Sequence, residues 1–160
     1  MNISKLIEKY WASYTQQIEY KKLNENAIVP TKGSSAAAGY DLYIPQSEEL
    51  VTILPHETKL VGIGLAMKIP NGFFGAIFAR SGLATKQGLR PANCVGVVDS
   101  DYRGEIKIAL HNDSNEEKTI EAGERIAQLV LLPFLNISFT EVEELEETER
   151  GEGGFGSTGK

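Results

Sequence analysis

The run KLVGIGLAMKIPNGFFGAIFA, Lys59–Ala79, consists of two blocks of β-branched, aromatic and small apolar residues on either side of Pro70-Asn71-Gly72. Short apolar blocks of this composition, bounded by a Pro-Asn-Gly turn, read as strands. The same grammar extends in both directions. Upstream lie IEYKKL (18–23), AGYDLYI (38–44) and LVTIL (50–54), with Pro45 and Pro55 closing two of the runs. Downstream follow CVGVV (94–98), EIKIAL (105–110), KTI (118–120), RIAQLVLL (125–132) and ISFTEV (137–142). Only RSGLATKQG, residues 80–88, interrupts the pattern, with room for one or two helical turns. Many short strands with few helices exclude alternating β/α units and predict an all-β, jelly-roll or β-clip-like domain.

The chain of 160 residues is long enough for one domain that buries about 70% of its unfolded surface. Hydrophobic content of 41% and charged content of 24% are ordinary for a globular protein. No stretch approaches the ~18 apolar residues of a membrane span. The single cysteine, Cys94, has no internal disulfide partner, which points to a reducing, cytoplasmic setting. Next to Asn93 it reads as a small buried side chain. A net charge of −6 argues against broad nucleic-acid binding, which needs a basic surface.

Both ends depart from the strand pattern. SKLIEKYWASY, Ser4–Tyr14, spaces Leu6, Ile7, Tyr10, Trp11 and Tyr14 as an amphipathic helix over roughly residues 4–15, capped by Ser4. It lacks the hydrophobic block of a signal peptide and the Arg/Ser bias of a transit peptide. Near the other end, Glu141, Glu143, Glu144, Glu146, Glu147 and Glu149 precede RGEGGFGSTGK, Arg150–Lys160. The predicted organisation is a helical extension at 1–17, a β domain at 18–140, and an acidic spacer with a mobile glycine-rich arm at 141–160. The arm carries the G-x-G-x-x-G spacing of phosphate-cradling loops. Those loops sit between a strand and a helix, and here no helix follows. If this tail binds phosphate, it folds over a ligand held elsewhere.

Five clusters place glycine beside polar residues: AGYDL (38–42), ARSGLA (79–84), NCVGVVDSDYRGE (93–105), GERIAQL (123–129) and RGEGGFGSTG (150–159). Singly, each is an ordinary turn signal, since Gly accepts φ > 0 and Asp bonds nearby backbone. In this order and spacing the sequence resembles the homotrimeric, all-β dUTP pyrophosphatase (dUTPase) family from about Tyr20 to Lys160. One departure is Ala79, where the family commonly has Pro before the arginine.

The resemblance implies hydrolysis of dUTP to dUMP and pyrophosphate, limiting uracil in DNA and supplying dUMP for dTMP synthesis. It casts Asp99, at the mouth of a hairpin between 94–98 and 105–110, as the base for a water attacking the α-phosphorus. It places Tyr102 under the deoxyribose, where a ring excludes a 2′-hydroxyl. Backbone of Val97, Val98 and Asp99, with the Asn93 amide, would read the uracil edge, and Lys107 would be a further substrate contact. Arg80, Ser81, Gly82 and Gln128 would hold phosphates. From the tail, Arg150 would reach the γ-phosphate, Phe155 would cover the base, and Gly156, Ser157 and Thr158 would surround the terminal phosphate. Arg125 reads as a structural partner of a carboxylate. The implied sites are shared. One subunit gives AGYDL, RSG and GERIAQL, a second the Asp99 hairpin, and a third the tail.

The resemblance also implies Mg²⁺, held mainly by phosphate oxygens, with Asp41 acting through water. The sequence has no cluster with metal-ligand spacing, and His56 and His111 lie far apart along it. A dCTP deaminase of the same superfamily would need a glutamate placed for proton transfer at C4 of cytosine, and the hairpin motif offers none. A nucleotide-sensing binding protein would have no use for a water-activating carboxylate.

Overall fold

The computed structural model describes residues 17–46 and 50–154. The helix expected at 4–15 and tail residues Phe155, Gly156, Ser157 and Thr158 lie outside the described residues.

Twelve strands and one short helix make up the described fold. They run β1 Glu19–Lys22, β2 Thr31–Lys32, β3 Tyr40–Tyr43, β4 Val51–Ile53, β5 Thr58–Gly62, β6 Leu65–Lys68, β7 Phe73–Phe78, α1 Ser81–Gln87, β8 Leu89–Pro91, β9 Val95–Val98, β10 Lys107–Asn112, β11 Lys118–Ile120 and β12 Arg125–Pro133. All pairings are antiparallel. The largest sheet has the order β2-β3-β12-β7-β9, and β5-β10-β8 forms a second. Two-stranded ladders β1-β6 and β11-β4 complete the jelly-roll-like wrap.

The strand expected over 59–69 is two strands in different sheets. β5 joins β10, while β6 joins β1. The break falls at Gly64, whose φ of +69° lies in the left-handed region that glycine enters without steric cost. β7, β9, β11 and β12 fall where the sequence places them. The helix takes the longer of its two expected lengths and ends at Gly88, φ 70°, a left-handed C-cap. ISFTEV, expected as a strand at 137–142, is not one, because no described strand lies beside it to pair with. Its apolar members stay in the open, with Ile137 71% and Phe139 92% exposed.

The core follows the two-residue alternation of half-buried strands. On β10, Ile108 and Leu110 point inward and Lys107 outward. They pack with Leu42, Ile53, Leu65, Ile106 and Ile126, all almost wholly buried. At 25 cal/mol per Å², fully burying each side chain of this size is worth roughly 1.5–3 kcal/mol.

Asn112 is the one polar side chain in this core, with no exposed surface. Its Nδ2 donates to the carbonyls of Ile53, Leu54 and Glu116, and its Oδ1 accepts from Ser114 N–H and Oγ–H. A buried amide with five partners is satisfied, and here it ties β4 to the turn after β10. Around the same corner the fold gathers the two histidines that are distant in sequence. His111 Nε2 lies 3.4 Å from Asp113, and His56 donates its backbone N–H to Asn112 O. The Arg90 guanidinium, hydrogen-bonded to Asp113, holds that carboxyl below its usual range.

Candidate active site

Adjacent strands of the large sheet bring the phosphate-handling candidates together. β12 is central, with Gln128 level with Asp41 on β3 and with Phe78 on β7. Two residues past Phe78, Arg80 opens α1, its backbone still extended at φ −83°, ψ 128°. One row across three strands therefore carries Asp41 and Gln128 and leads directly to Arg80. Gln128 Nε2 donates to Ala79 O at 2.9 Å, fixing the carbonyl just before Arg80. Ala79 supplies that carbonyl in the place where the family commonly has proline. The Gln128 side chain lies so close over Gly39 that a Cβ there would sit 2.5 Å from Oε1. This contact explains the glycine of AGYDL.

Asp41 is the electrostatic centre of the row. Its Oδ1 accepts from Arg80 Nε at 2.8 Å and its Oδ2 from Arg125 Nη1 at 3.3 Å. The carboxylate is largely buried, at 15% side-chain exposure, whereas Arg80 and Arg125 remain 25% and 50% exposed. The expected carboxylate partner of Arg125 is thus Asp41. A cavity of about 460 Å³ opens beside the arginines and is also walled by Gly82, Lys86 and Gly123. Two guanidiniums and an ammonium face this polar cavity together with the Glu124 carboxylate; Arg donors of this kind match phosphate oxygens, and Lys adds a point charge. Sequence reading did not single out Lys86. Its position one turn after Gly82 on a helix was the available signal.

The base-reading and water-activating candidates lie elsewhere. β9 is an edge strand, paired to β7 on one side with Val97 level with Ala76 and Val98 with Gly75. Its other edge presents unpaired backbone groups. Val98 is buried and Val97 is 62% exposed. Asn93 is exposed, and its Nδ2 would lie 3.3 Å from a Cβ placed on Gly96. Cys94 is exposed rather than buried, because a left-handed φ of 60° turns the residue outward at the corner into β9.

The expected hairpin between β9 and β10 does not form. β9 pairs with β7, and β10 pairs with β5 and β8. The connection from Asp99 to Ile106 therefore crosses between sheets. Within it, Tyr102 N–H donates to Asp99 O at 3.2 Å and Tyr102 Oη–H to Glu105 O at 3.0 Å. Asp99 is exposed, and its carboxylate has no hydrogen-bond or ion-pair partner among the described residues. Lys107 is exposed with its Nζ 3.6 Å from Glu105. Arg150 is exposed and donates to Gly153 O.

Strand register separates the two groups within one chain. Gln128 is level with Phe78, whereas Val98 is level with Gly75, and Asp99 lies one residue further on. Four residues along β7 put Asp99 about 13 Å from the Gln128 row at ~3.3 Å per residue. Arg80 lies beyond the opposite end of β7. A single chain thus presents the arginine-lined cavity at one end of the sheet and the unpartnered aspartate at the other.

An all-β fold with an arginine-lined polar cavity, an open strand edge and a detached carboxylate is compatible with a hydrolase of nucleotide phosphates. The dUTPase family model matches residues 25–159. The chain is 51% identical over 144 residues to the deoxyuridine 5′-triphosphate nucleotidohydrolase of Nautilia profundicola, covering 90% of this chain and 99% of that one. It is 46% identical over 156 residues to that of Candida albicans, covering 96% and 95%. Its fold is similar to that of the Staphylococcus bacteriophage 80alpha dUTPase solved with dUPNHPP, with a TM-score of 0.81 and 32% identity over 91% of this chain and all of that one. The chain belongs to the dUTPase family, the dUTP diphosphatases.

Among the described residues no group of three His, Cys, Asp or Glu side chains could hold a metal ion. No helix among them is long and apolar enough to cross a membrane.

Proposed function

We propose that the chain hydrolyses dUTP to dUMP and pyrophosphate in sites shared between three copies. One observation carries the assignment of the base. Asp99, which the resemblance casts as the base, has no side-chain partner among the described residues, whereas Asp41, cast as a metal contact through water, has both oxygens engaged by arginines. Asp99 takes a proton from water as that water's oxygen bonds to the α-phosphorus, in line with the departing α–β bridging oxygen. The P–O bond to the bridge breaks, and pyrophosphate carries the electron pair away. Arg80 and Gln128, with Ser81 and Gly82 at the start of α1, hold the phosphates. Arg150 and the Phe155–Thr158 segment close over them from a third copy. Preformed guanidinium donors in a cavity stabilise the charge that gathers on the leaving group.

Specificity follows from the strand edge. Backbone of Val97, Val98 and Asp99 with the Asn93 amide pairs with the uracil O2/N3/O4 edge, and reversed donor patterns leave buried groups unpaired. Tyr102 walls the 2′ position, and Lys107 flanks it. Among the described residues the pocket brings no ligand set of its own for a magnesium ion, which would be held by phosphate oxygens and water. Asp41 accepts from that water only through lone pairs its arginines leave open. Bound there, the ion would neutralise the leaving pyrophosphate.

The exposed apolar side chains between Phe134 and Leu145 support assembly. Leu135 is 86%, Phe139 92% and Leu145 86% exposed, a surface that a second copy of the chain covers. The single cysteine suits a cytoplasmic enzyme that limits uracil in DNA and yields dUMP for dTMP synthesis. Pyrophosphate release from dUTP, dTTP, dCTP and UTP, with Mg²⁺ and with a chelator, tests this reading. Release from dUTP alone, lost on chelation, is expected. Ammonia from dCTP, or equal rates on dUTP and UTP, would overturn it.

A further inference from the structure

Because β9 and β10 lie in different sheets, no ladder of hydrogen bonds fixes the Asp99–Ile106 connection between them. Several of its bonds are internal. Arg103 Nη1 donates to Ser100 O at 2.7 Å and Tyr102 O at 2.8 Å, and Tyr102 N–H donates to Asp99 O. Such bonds set the shape of the loop but not its place on the protein. Its place comes from the turn between β5 and β6. Ile106 N–H donates to Leu65 O at 2.9 Å and Ile63 N–H to Ile106 O at 3.1 Å.

The Glu105 side chain completes this attachment. Its Oε1 accepts the Gly64 N–H at 3.0 Å, a part-buried bond across 41 residues of sequence. Gly64 presents that N–H from its left-handed conformation, φ 69°. The carboxylate rests directly on Gly62, where any Cβ would overlap Oε1. Lys107 Nζ stands 3.6 Å from the other oxygen. The Glu105 main-chain oxygen in turn accepts the Tyr102 hydroxyl, and Gly104 leaves room for that ring, since a Cβ there would overlap Oη. A surface glutamate needs neither a bare glycine under it nor a dedicated backbone donor.

We propose that Glu105 is the positioning residue for Tyr102, a carboxylate clamp that seats the loop on the Gly62–Leu65 turn and so sets where the ring stands. The inference rests on the reading of Tyr102 as the wall against the 2′-hydroxyl. Through that ring, Glu105 governs discrimination between deoxyribo- and ribonucleotide without touching either.

The test compares kcat/KM for dUTP and UTP in the parent, Tyr102→Ala, Glu105→Ala, Glu105→Gln, Gly62→Ala and the Tyr102→Ala/Glu105→Ala double variant, with unfolding midpoints measured in parallel. Losing one hydrogen bond to a charged acceptor should lower the dUTP-over-UTP ratio about tenfold in Glu105→Ala. Gly62→Ala should do the same while keeping the glutamate, which covers the case in which Glu105→Ala does not fold. Glu105→Gln retains an oxygen for Gly64 N–H and should hold the ratio within about twofold of the parent. The double variant should lose no more than Tyr102→Ala alone. If Tyr102→Ala moves the ratio but Glu105→Ala and Gly62→Ala only lower stability, the clamp is wrong and the sugar reading stands. A ratio unmoved by Tyr102→Ala removes the sugar reading and the clamp with it.

Discussion

A mixture of two inactive variants, Asp99→Asn and Arg80→Ala, should regain activity that neither has alone. Asp99 lies one residue past the Val98–Gly75 pair, while Gln128 is level with Phe78 and Arg80 lies two residues beyond it. The resulting backbone gap of about 13 Å or more cannot close around one α-phosphate if Arg80 is to reach its oxygens and Asp99 the water attacking its phosphorus, each within ~3 Å. On the proposed reading, each site therefore takes its aspartate and its arginine from different copies. In a cyclic trimer of two subunits of one variant and one of the other, one site of the three pairs a normal Asp99 with a normal Arg80. Random assortment then restores about a quarter of parental activity over the whole population, and about a third in purified mixed trimers. The separate variants should retain roughly 10⁻²–10⁻⁴ of parental turnover, the usual cost of a lost general base or preorganised cationic donor. Co-expression with two affinity tags isolates the mixed trimers, and pyrophosphate release reads the result. Activity no higher than the mean of the two variants, with mixed trimers present, would falsify the shared site. A monomeric mass by light scattering would remove its basis.

Asp99→Asn should still bind a non-hydrolysable dUTP analogue by calorimetry while turnover falls ~10²–10⁴-fold, and parental turnover would reject Asp99 as the base. Deleting residues 150–160 should leave a protein that binds dUMP but hydrolyses dUTP far more slowly. In the full chain, an imido analogue with Mg²⁺ should protect the tail from protease and dUMP should not, whereas equal protection would refute a closure that depends on the γ-phosphate. Asn112→Ala removes the amide's donations to three carbonyls and its acceptance from Ser114 at a largely buried corner, and urea unfolding should show a loss of about 3 kcal/mol. A change under 1 kcal/mol, on the order of one ordinary hydrogen bond, would show that water replaces the amide there.

Strand positions were legible because alternation and turn residues are local properties. KTI was read to the residue, and RIAQLVLL within one. The sequence could not show which strand sits beside which. Lys59–Ile69 looks continuous because Gly62 and Gly64 fit a strand composition loosely. Only the packed structure shows that Gly64 turns the chain from one sheet to another. The Asp99 loop misled for the same reason. Two strands joined by a polar loop suggest a hairpin, but β9 finds its partner in β7, some twenty residues upstream. ISFTEV has the alternation of a strand, yet hydrogen bonding needs a neighbour that a single chain does not supply at that place.

The site was legible as a set of residue types, and far less so as a set of roles. Asp41 and Asp99 each sit in a short polar cluster, and only the resemblance gave them different roles, a metal contact through water and a base. Their surroundings also differ in the fold. Two arginines converge on Asp41, from 39 and 84 residues away in sequence, and turn a candidate ligand into the anchor that holds both guanidiniums at the cavity. Both Asp41 oxygens are thereby occupied by arginine donors. Asp99 has no such partner among the described residues, so its oxygens stand open to a water. The fold places the arginine pair and the open aspartate at opposite ends of one strand. On the proposed reading, a second copy of the chain brings them together.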